Sequence, residues 1–302
     1  MTNNDRYKQT IMGKVLHLNE KYETSGRPPN EKLPVRKFDW DFSKTQNHWL
    51  DNSAFKTHVL NTISLMLPAA ERFFVDTVKK FAKEVKDDSL REAAKGFYGQ
   101  EIQHYLAHDK TLQMLRDQGY EIDSFLEVYQ KFGYDFWHSL LGDKIGLSAT
   151  AGFEHYTALV AEIGLTSGIL DRSSGEMKRL FEWHAAEEIE HKSVVFDVLN
   201  EIDDNYFLRL AGITISSIIF YPFLFWGTFR LVAQDGALFE PKTWKDFLEI
   251  FFTKEKFLVR AAEMAAEYLD PDFHPWDKNN SHLADNVFRK YDEQRTKKAE
   301  PS

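Results

Sequence analysis

The sequence predicts an all-α protein built around a four-helix bundle, and three observations support this prediction. Strand patterns are nearly absent, while apolar residues recur at helical spacing through almost the whole chain. Residues typical of helix starts and stops divide this pattern into long segments. Finally, glutamate and histidine residues occupy core-facing positions on four of these segments, which is unusual unless the charged groups have buried partners.

The composition fits one large globular domain or two modest ones. The chain has 302 residues, of which 43% are hydrophobic and 15% aromatic, enough for a substantial core. A net charge of −9 argues against a nucleic-acid partner, which would need a basic face. The absence of cysteine excludes disulfides, thiol catalysis and zinc-finger sites, so any metal must be bound by nitrogen and oxygen. It also permits a cytoplasmic location, which we expect, with membrane association as an alternative.

We divide the chain into three parts. Residues 1–32 are polar and lack the apolar core of a signal peptide, so they are expected to form a flexible N-terminal arm. Residues 33–270 are expected to form the helical domain, including an apolar helix at about 207–232. Residues 271–302 are expected to be a polar C-terminal tail, with one short helix at most.

The first helices of the domain are predicted from their end residues and apolar stripes. Pro68 suits the first turn of a helix, and Glu71 lies on the apolar stripe that follows. The pattern Ser89-x-x-Glu92 predicts a capping box for a long second helix, which Gly119 ends. The stripe of this second helix contains Ala94, Phe97, Glu101, His104, His108, Leu112 and Leu115.

Three more helical regions follow. One covers about 122–141, and another, at about 144–167, has Glu154 on a face with small and apolar residues. Ser173-x-x-Glu176 is expected to cap the next helix, which reaches about residue 201. Its core-facing stripe is Met177, Phe181, His184, Glu188, His191, Val195 and Val198, at steps of four and three. Glu187 and Glu190 lie off this stripe and are expected to face solvent.

The segment 210–229, LAGITISSIIFYPFLFWGTF, contains no charged residue and lies between Arg209 and Arg230. Its length is just sufficient to span a bilayer. Its Pro222 and its Ser, Thr and Gly content equally fit a core helix or a homodimer-interface helix of a soluble protein. An in-plane membrane contact or a tunnel for an apolar substrate is a further alternative. Another helix is expected at about 243–268, before Pro271.

Two Glu-x-x-His motifs, at 101–104 and 188–191, indicate a metal site. Residues three apart share a helix face, so each motif presents a carboxylate and an imidazole together. Each motif follows a helix with a lone glutamate on its buried stripe. A four-helix bundle with a dinuclear iron or manganese centre needs this set of residues. The predicted ligands are Glu71, Glu101, His104, Glu154, Glu188 and His191.

Further histidines and tyrosines accompany these ligands in the sequence. His184 lies one turn before Glu188, so it is a candidate seventh ligand or a core histidine hydrogen-bonded behind the ligands. His108, Tyr105 and Tyr156 are expected behind the ligands or in a pocket. For the two tyrosines, ordinary core rings are the alternative. No catalytic residue beyond the metal ligands is predicted.

Four stretches of the chain resemble known proteins: LPVRKFDWDFS (33–43), GQEIQHYLAHD (99–109), GFEHYTA (152–158) and WHAAEEIEHKSVVFDV (183–198). They resemble the ferritin-like di-iron carboxylate proteins and, more narrowly, a bacterial family described as predicted metal-dependent hydrolases, over roughly residues 33–270. The His-x-x-x-Glu-x-x-His motif is also similar to that of arylamine N-oxygenases. That resemblance implies that His184 joins the ligand set. The implied fold is a ferritin-like four-helix bundle with additional C-terminal helices.

Three functions fit these features. The first is an O2-activating di-iron oxidoreductase, an oxygenase or oxidase, acting on a small apolar organic substrate. The chain shows no flavin or dinucleotide-binding fingerprint, so such an enzyme would need an external electron donor. The alternative is a metal-dependent hydrolase that uses a metal-activated water, and the third is iron storage or metal handling. Two iron ions are the expected cofactors, with manganese as the alternative.

Overall fold

A computed structural model describes residues 33–135, 142–173 and 175–299, with side chains as far as residue 292. Within these ranges every extended regular element is helical, and the β-structure is one isolated bridge between Leu50 and Ser173. The predicted all-α class is therefore confirmed. The predicted N-terminal arm, residues 1–32, lies outside the described residues.

The α-helices are named here in chain order. They are α1 Ala54–Phe81, α2 Asp88–Asp117, α3 Asp123–Gln130, α4 Asp143–Thr166, α5 Gly175–His191, α6 Val194–Ile202, α7 Tyr206–Gln234, α8 Pro241–Leu248, α9 Phe257–Tyr268 and α10 His282–Ala299. Single turns of π-helix follow α3 at Lys131–Asp135 and α8 at Glu249–Thr253. Short 3-10 helices lie at Leu170–Arg172 and Pro275–Asp277.

The first two helices begin earlier than predicted. Helix α1 begins at Ala54, where the Ser53 hydroxyl accepts a hydrogen bond from the Lys56 amide, and Pro68 lies inside the helix. Nearly every residue before the proline is buried, so tertiary packing outweighs its preference for a first turn. Helix α2 is capped by the Asp87 carboxylate, which accepts from the Leu90 amide. The predicted capping box at Ser89 is therefore wrong, since Ser89 lies within the helix.

Three of the later helices also differ from their predicted extents. The predicted region 122–141 is α3 followed by one π-turn, and residues 136–141 lie outside the described residues. The predicted helix ending near residue 201 is interrupted at Lys192 and Ser193, which separate α5 from α6. Its predicted cap is wrong, because the helix begins at Gly175, and the Ser173 hydroxyl donates to the Leu170 carbonyl that precedes it. The predicted helix 243–268 is divided into α8, a π-turn and α9 by residues 254–256.

Four helices pack in a closed ring, which positions the candidate site. Helix α1 contacts α2 and α4, and α5 also contacts α2 and α4. Helix α7 lies against α1 and α4, and α10 packs on the outer side of α5. The predicted polar tail thus contains an 18-residue helix that covers the ring from outside.

The apolar helix α7 has one face in the core. Its buried residues include Ile213, Ile219 and Leu224, whereas Phe207, Ile218 and Trp226 are exposed. Among the described residues, it is the one helix long and apolar enough to cross a membrane. The core helix of a soluble protein passes the same test, and 44% of its most apolar window is buried. The packing on α1 and α4 therefore makes α7 part of the core on that side.

Candidate metal centre

The predicted ligands converge at the middle of the four-helix ring. Helix α1 contributes Glu71, α2 contributes Glu101 and His104, α4 contributes Glu154, and α5 contributes His184, Glu188 and His191. Each of these residues is at most 6% exposed. The helical seams predicted from the sequence therefore bring all seven residues together, including the additional histidine.

Their side-chain atoms form two groups, each with all its atoms within 4.8 Å of one another. One group consists of Glu71, His104, His184 and Glu188, and the other of Glu101, Glu154 and His191. Nitrogen and oxygen ligands about 2.1 Å from one ion stand about 3 Å apart when they meet at a right angle. Each group thus provides a set of ligand atoms suited to one cation.

Two carboxylates lie between the groups. In Glu188, Oε1 lies 2.8 Å from His184 Nε2 and 3.6 Å from His104 Nδ1, whereas Oε2 lies 3.4 Å from His191 Nε2. In Glu101, Oε1 lies 3.4 Å from His104 Nδ1 and 3.2 Å from His191 Nε2. Both carboxylates can therefore contact two cations at once.

The buried polar atoms at the centre show that cations fit this site. Several of them have no hydrogen-bond partner among the described residues: both carboxylate oxygens of Glu71, Glu101 and Glu154, His104 Nδ1, Glu188 Oε2 and His191 Nε2. A buried carboxylate without a partner is strongly unfavourable. Two divalent cations would balance the four negative charges and fill the positions that these atoms face.

Burial sets the protonation of the carboxylates when no cation is bound. Burial, with the repulsion of neighbouring carboxylates, raises the pKa of Glu71 and Glu154 well above their usual range. Glu188 differs because burial is outweighed by the attraction of His191 and by the hydrogen bond and attraction of His184, which hold its pKa well below the usual range. The four carboxylates therefore cannot all ionise freely without a cation.

Two of the three histidines are held by side chains behind the centre. His104 faces the carboxylates with Nδ1, and its Nε2 lies 3.0 Å from Glu187 Oε2. His191 faces them with Nε2, and its Nδ1 lies 3.0 Å from Gln100 Oε1. Metal-bound histidines usually donate their second N–H to such an acceptor, which fixes the ring.

The third histidine is held by a chain of polar groups. His184 Nδ1 lies 2.8 Å from His108 Nε2, and His108 Nδ1 lies 2.9 Å from the Ser64 hydroxyl. His108 is completely buried and therefore lies behind the candidate ligand. This is one of the two positions that the sequence predicted for it.

The predicted solvent exposure is wrong for Glu187, whereas Glu190 is partly exposed. Glu187 is fully buried, and Arg36 Nη1 donates to its Oε1 at 2.9 Å and to Glu190 Oε2 at 2.8 Å. Gln100 also donates to Glu190 Oε2, at 2.8 Å. The guanidinium of Arg36 in turn lies over the ring of Phe288 on α10. The face of α5 that contains Glu187 and Glu190 was predicted to face solvent. It is instead covered by the segment that precedes α1 and by helix α10.

An apolar cavity of about 100 Å³ reaches the centre. His184 and Glu188 line it together with apolar side chains of α1, α4, α5 and α7 and of the segment after α8. Its wall includes Ile63, Leu67, Phe74, Phe153, Phe181, Leu224 and Phe251. One further lining residue, the buried Glu255, could not be predicted from the sequence, because no helical stripe or motif includes it.

The two tyrosines for which a pocket position was predicted lie outside the cavity. Tyr105 is half-buried, and the guanidinium carbon of Arg72 lies over its ring, 4.7 Å from the ring centre. The Tyr156 hydroxyl lies 2.7 Å from that of Ser217, and its ring stacks on Phe220. Neither tyrosine lines the cavity, so both fit the alternative of ordinary core rings.

A second cluster of metal-ligand residue types is satisfied by hydrogen bonds. His48 Nε2 and His58 Nε2 each lie 2.7 Å from Asp235 Oδ2, and the Tyr120 hydroxyl donates to Asp235 Oδ1. These are hydrogen-bond distances, and the cluster leaves none of its carboxylate oxygens without a partner. It therefore joins α1 to the end of α7 without needing an ion.

Comparison with known proteins identifies one family. A sequence model described as “Predicted metal-dependent hydrolase” matches residues 34–279. This span is most of the chain and includes every candidate ligand. No curated protein and no solved structure matches the chain.

Proposed function

The chain belongs to the predicted metal-dependent hydrolase family, and we propose that it is a hydrolase with two divalent cations bound inside its four-helix ring. The observation that supports this most strongly is the buried set of carboxylate and imidazole atoms that face one another without hydrogen-bond partners. We further propose that the ring is a ferritin-like bundle. Two of its helices each provide one glutamate, and each of the other two provides a Glu-x-x-His motif.

We assign the ligands from the two groups of atoms. Glu71, His104 and His184 would bind one cation, and Glu154 and His191 the other. Glu101 and Glu188 would contact both, since each lies near histidines of both groups. The nitrogen and oxygen ligands suit iron, manganese or zinc.

The chemistry divides between the cations and the protein. Bound divalent cations supply a Lewis acid and lower the pKa of water. The apolar cavity binds the hydrocarbon part of an ester or amide and keeps bulk water away. His184 and Glu188 lie where the cavity meets the centre, so a substrate in the cavity would present its carbonyl group there.

A metal-loading experiment tests this proposal. The purified protein is stripped with a chelator, reloaded with zinc, manganese or iron(II), and assayed with p-nitrophenyl butyrate and 4-nitroacetanilide. We expect about two metal ions per chain and metal-dependent hydrolysis. Glu101→Ala and Glu188→Ala should lose both, whereas Glu176→Ala, at the half-exposed start of α5, should retain both. Wild-type protein that binds metal but hydrolyses neither ester nor amide with any of the three metals would contradict the proposal.

A second candidate function is the O2-activating di-iron oxidoreductase. The observation that favours it is the ligand set, because the assignment above would give one cation five protein ligands and the other four, more than the three typical of a catalytic zinc site. Its test is stopped-flow mixing of the reduced, iron-loaded protein with O2, followed by absorbance and oxygen consumption. An unchanged spectrum without oxygen uptake would reject this candidate and leave the hydrolase.

A further inference from the structure

The cavity contains a buried carboxylate apart from the candidate metal ligands. Glu255 is 2% exposed and lines the same apolar cavity as His184 and Glu188. Arg172 Nη2 donates to its Oε1. Its Oε2 is buried and has no hydrogen-bond partner among the described residues. One carboxylate oxygen thus accepts a hydrogen bond from an arginine, whereas the other lies in an apolar cavity without a hydrogen-bond donor. Such an oxygen is suited to accepting a hydrogen bond from a bound ligand.

The backbone around this residue is irregular. The π-turn Glu249–Thr253 ends just before Glu255, and the following residue, Lys256, has φ 54° and ψ 37°. This left-handed conformation is rare for a residue other than glycine. The cavity wall immediately around Glu255 is apolar and includes Ile250, Phe251 and Phe257. The irregular segment thus places a charged side chain in an apolar wall.

We propose that Glu255 Oε2 is a specificity-determining group that accepts a hydrogen bond from a hydroxyl group of an otherwise apolar substrate. This inference rests on the proposed function, because the reactive group of the same substrate would lie at the metal centre. The pair formed by Glu255 and Arg172 carries no net charge. A neutral hydroxyl therefore suits the cavity better than an ammonium group, whose charge would have to be desolvated without a balancing partner.

Binding of small probes tests the proposal without any turnover. Benzyl alcohol and anisole are isomers, but only the alcohol has a hydrogen-bond donor. An apolar cavity of about 150 Å³ can bind benzene, so a single ring is the largest probe to use with this cavity of about 100 Å³. We expect isothermal titration calorimetry on the full chain to show benzyl alcohol binding roughly ten-fold or more tightly than anisole. Benzylamine should bind less tightly than the alcohol.

The variant Glu255→Gln should remove most of this preference. Its amide oxygen would accept from Arg172, so the amide NH2 would face the cavity, where it could donate to the oxygen of either isomer. A residue that only supported the packing would not produce such a loss of preference. The matched control is Glu263→Gln, an exposed acid on α9, which should keep the wild-type preference.

Several results would overturn the proposal. These are equal binding of the two isomers to the wild type, no binding of either, tighter binding of benzylamine, or an unchanged preference in a folded Glu255→Gln variant. The wild-type comparison stands even if that variant does not fold. Because no step involves hydrolysis, a failed hydrolase assay leaves this test intact. If the protein hydrolyses its substrates but binds benzyl alcohol and anisole equally, the proposed role of Glu255 is rejected and the proposed hydrolase function stands.

Discussion

The hydrogen bonds behind His184 determine where its proton must lie. When a cation is bound, a ring nitrogen that faces it must offer a lone pair, so His184 Nε2 would be unprotonated and Nδ1 would carry the hydrogen. Nδ1 would then donate to His108 Nε2, and the hydrogen of His108 would lie on its Nδ1, which donates to Ser64. Burial lowers the pKa of His184 to about 4 and that of His108 well below its usual value. Both rings are therefore neutral, as this chain of hydrogen bonds requires.

Replacing His108 should weaken metal binding through His184. The variant His108→Phe keeps a ring in the site but removes the acceptor for His184 Nδ1. Loss of such a supporting group typically costs about 10- to 100-fold in metal affinity. Competition with a chromophoric chelator measures this change. The control His58→Phe, at a fully buried histidine bonded to Asp235, should lower stability without a comparable loss of affinity.

Glu187 should matter for metal binding although the sequence places it off the seam. The change Glu187→Ala removes the acceptor for His104 Nε2 and one partner of Arg36, so we expect roughly 10-fold weaker binding or more. The change Glu187→Gln keeps an acceptor oxygen and should restore part of the affinity. The same chelator titration gives the values. If the Glu187→Ala variant binds metal as tightly as the Glu176→Ala variant does, the hydrogen bond from His104 to Glu187 is not important for metal binding.

Residue spacing in the sequence predicts the candidate metal ligands better than it predicts the residues that hydrogen-bond to those ligands. Glu101 with His104 and Glu188 with His191 are fixed by helix geometry, because residues three apart must share a face. The partner of Glu187 is Arg36, 151 positions earlier in the chain. No periodicity relates such distant residues, so the sequence alone could not identify this contact. The buried Glu255 could not be found for the same reason, since its partner Arg172 is 83 positions away.

The crossing of α4 and α7 depends on small residues. A Cβ atom at Gly212 would lie 2.2 Å from the carbonyl oxygen of Ser148 on α4. The variant Gly212→Ala should therefore destabilise the protein by about 1–3 kcal/mol or more. It should also weaken metal binding, because the displaced α4 carries Glu154. Chemical unfolding and the chelator titration measure the two effects.

The matched control for this crossing is Gly164→Ala, on α4. There the nearest atom to a new Cβ is in the flexible side chain of Leu170, at 3.5 Å, which is ordinary contact. Alanine favours a helix over glycine by about 1 kcal/mol, so this variant should be neutral or slightly stabilising. Equal unfolding free energies for the two variants would show that the close approach at Gly212 is not important.

The sequence predicts which segments are helical better than where the helices end. Long apolar stripes identify α1, α2, α4 and α5, since this periodicity follows directly from burial of one face. Their ends depend on competing local signals. Pro68 is a good start residue, but the buried segment before it continues the helix. The chain leaves the helix after His191 where the side chain of Ser193 bonds to Asp197 and Trp276, a contact set by a distant segment.

The whole molecule encloses four carboxylates in one core, and this links folding to metal binding. The ring of α1, α2, α4 and α5 is closed on its outer sides by α7 and α10. Burial raises the pKa of Glu71 and Glu154, because an ionised carboxylate would have no water to solvate its charge. Without a cation, both side chains are therefore most stable in the protonated form. A bound cation instead stabilises their ionised forms. Metal binding should therefore release protons and stabilise the entire fold.

The stabilisation by metal should increase with pH. Groups whose folded-state pKa is raised stabilise the metal-free protein below their unfolded pKa and lose this contribution as the pH rises through the raised value. The metal-free protein should thus lose the contribution of Glu71 and Glu154 as the pH rises above 4.5, through their raised pKa values. In the metal-bound protein both carboxylates are already ionised, so the difference in unfolding free energy between the two forms should widen. Free metal at 100 times its Kd should add about 2.7 kcal/mol.

Calorimetry can test the same coupling directly. Titrating metal at pH 7 in buffers with different ionisation enthalpies gives the number of protons released per ion, which we expect to exceed zero. The double variant Glu71→Gln with Glu154→Gln should release fewer protons, because it lacks the two carboxyl groups whose pKa burial raises most clearly. A wild-type protein that binds two ions without releasing protons would show that its core carboxylates are already ionised and its ligand histidines already neutral in the metal-free state. We expect His104 to add to the release, because the buried carboxylates raise its pKa despite its own burial.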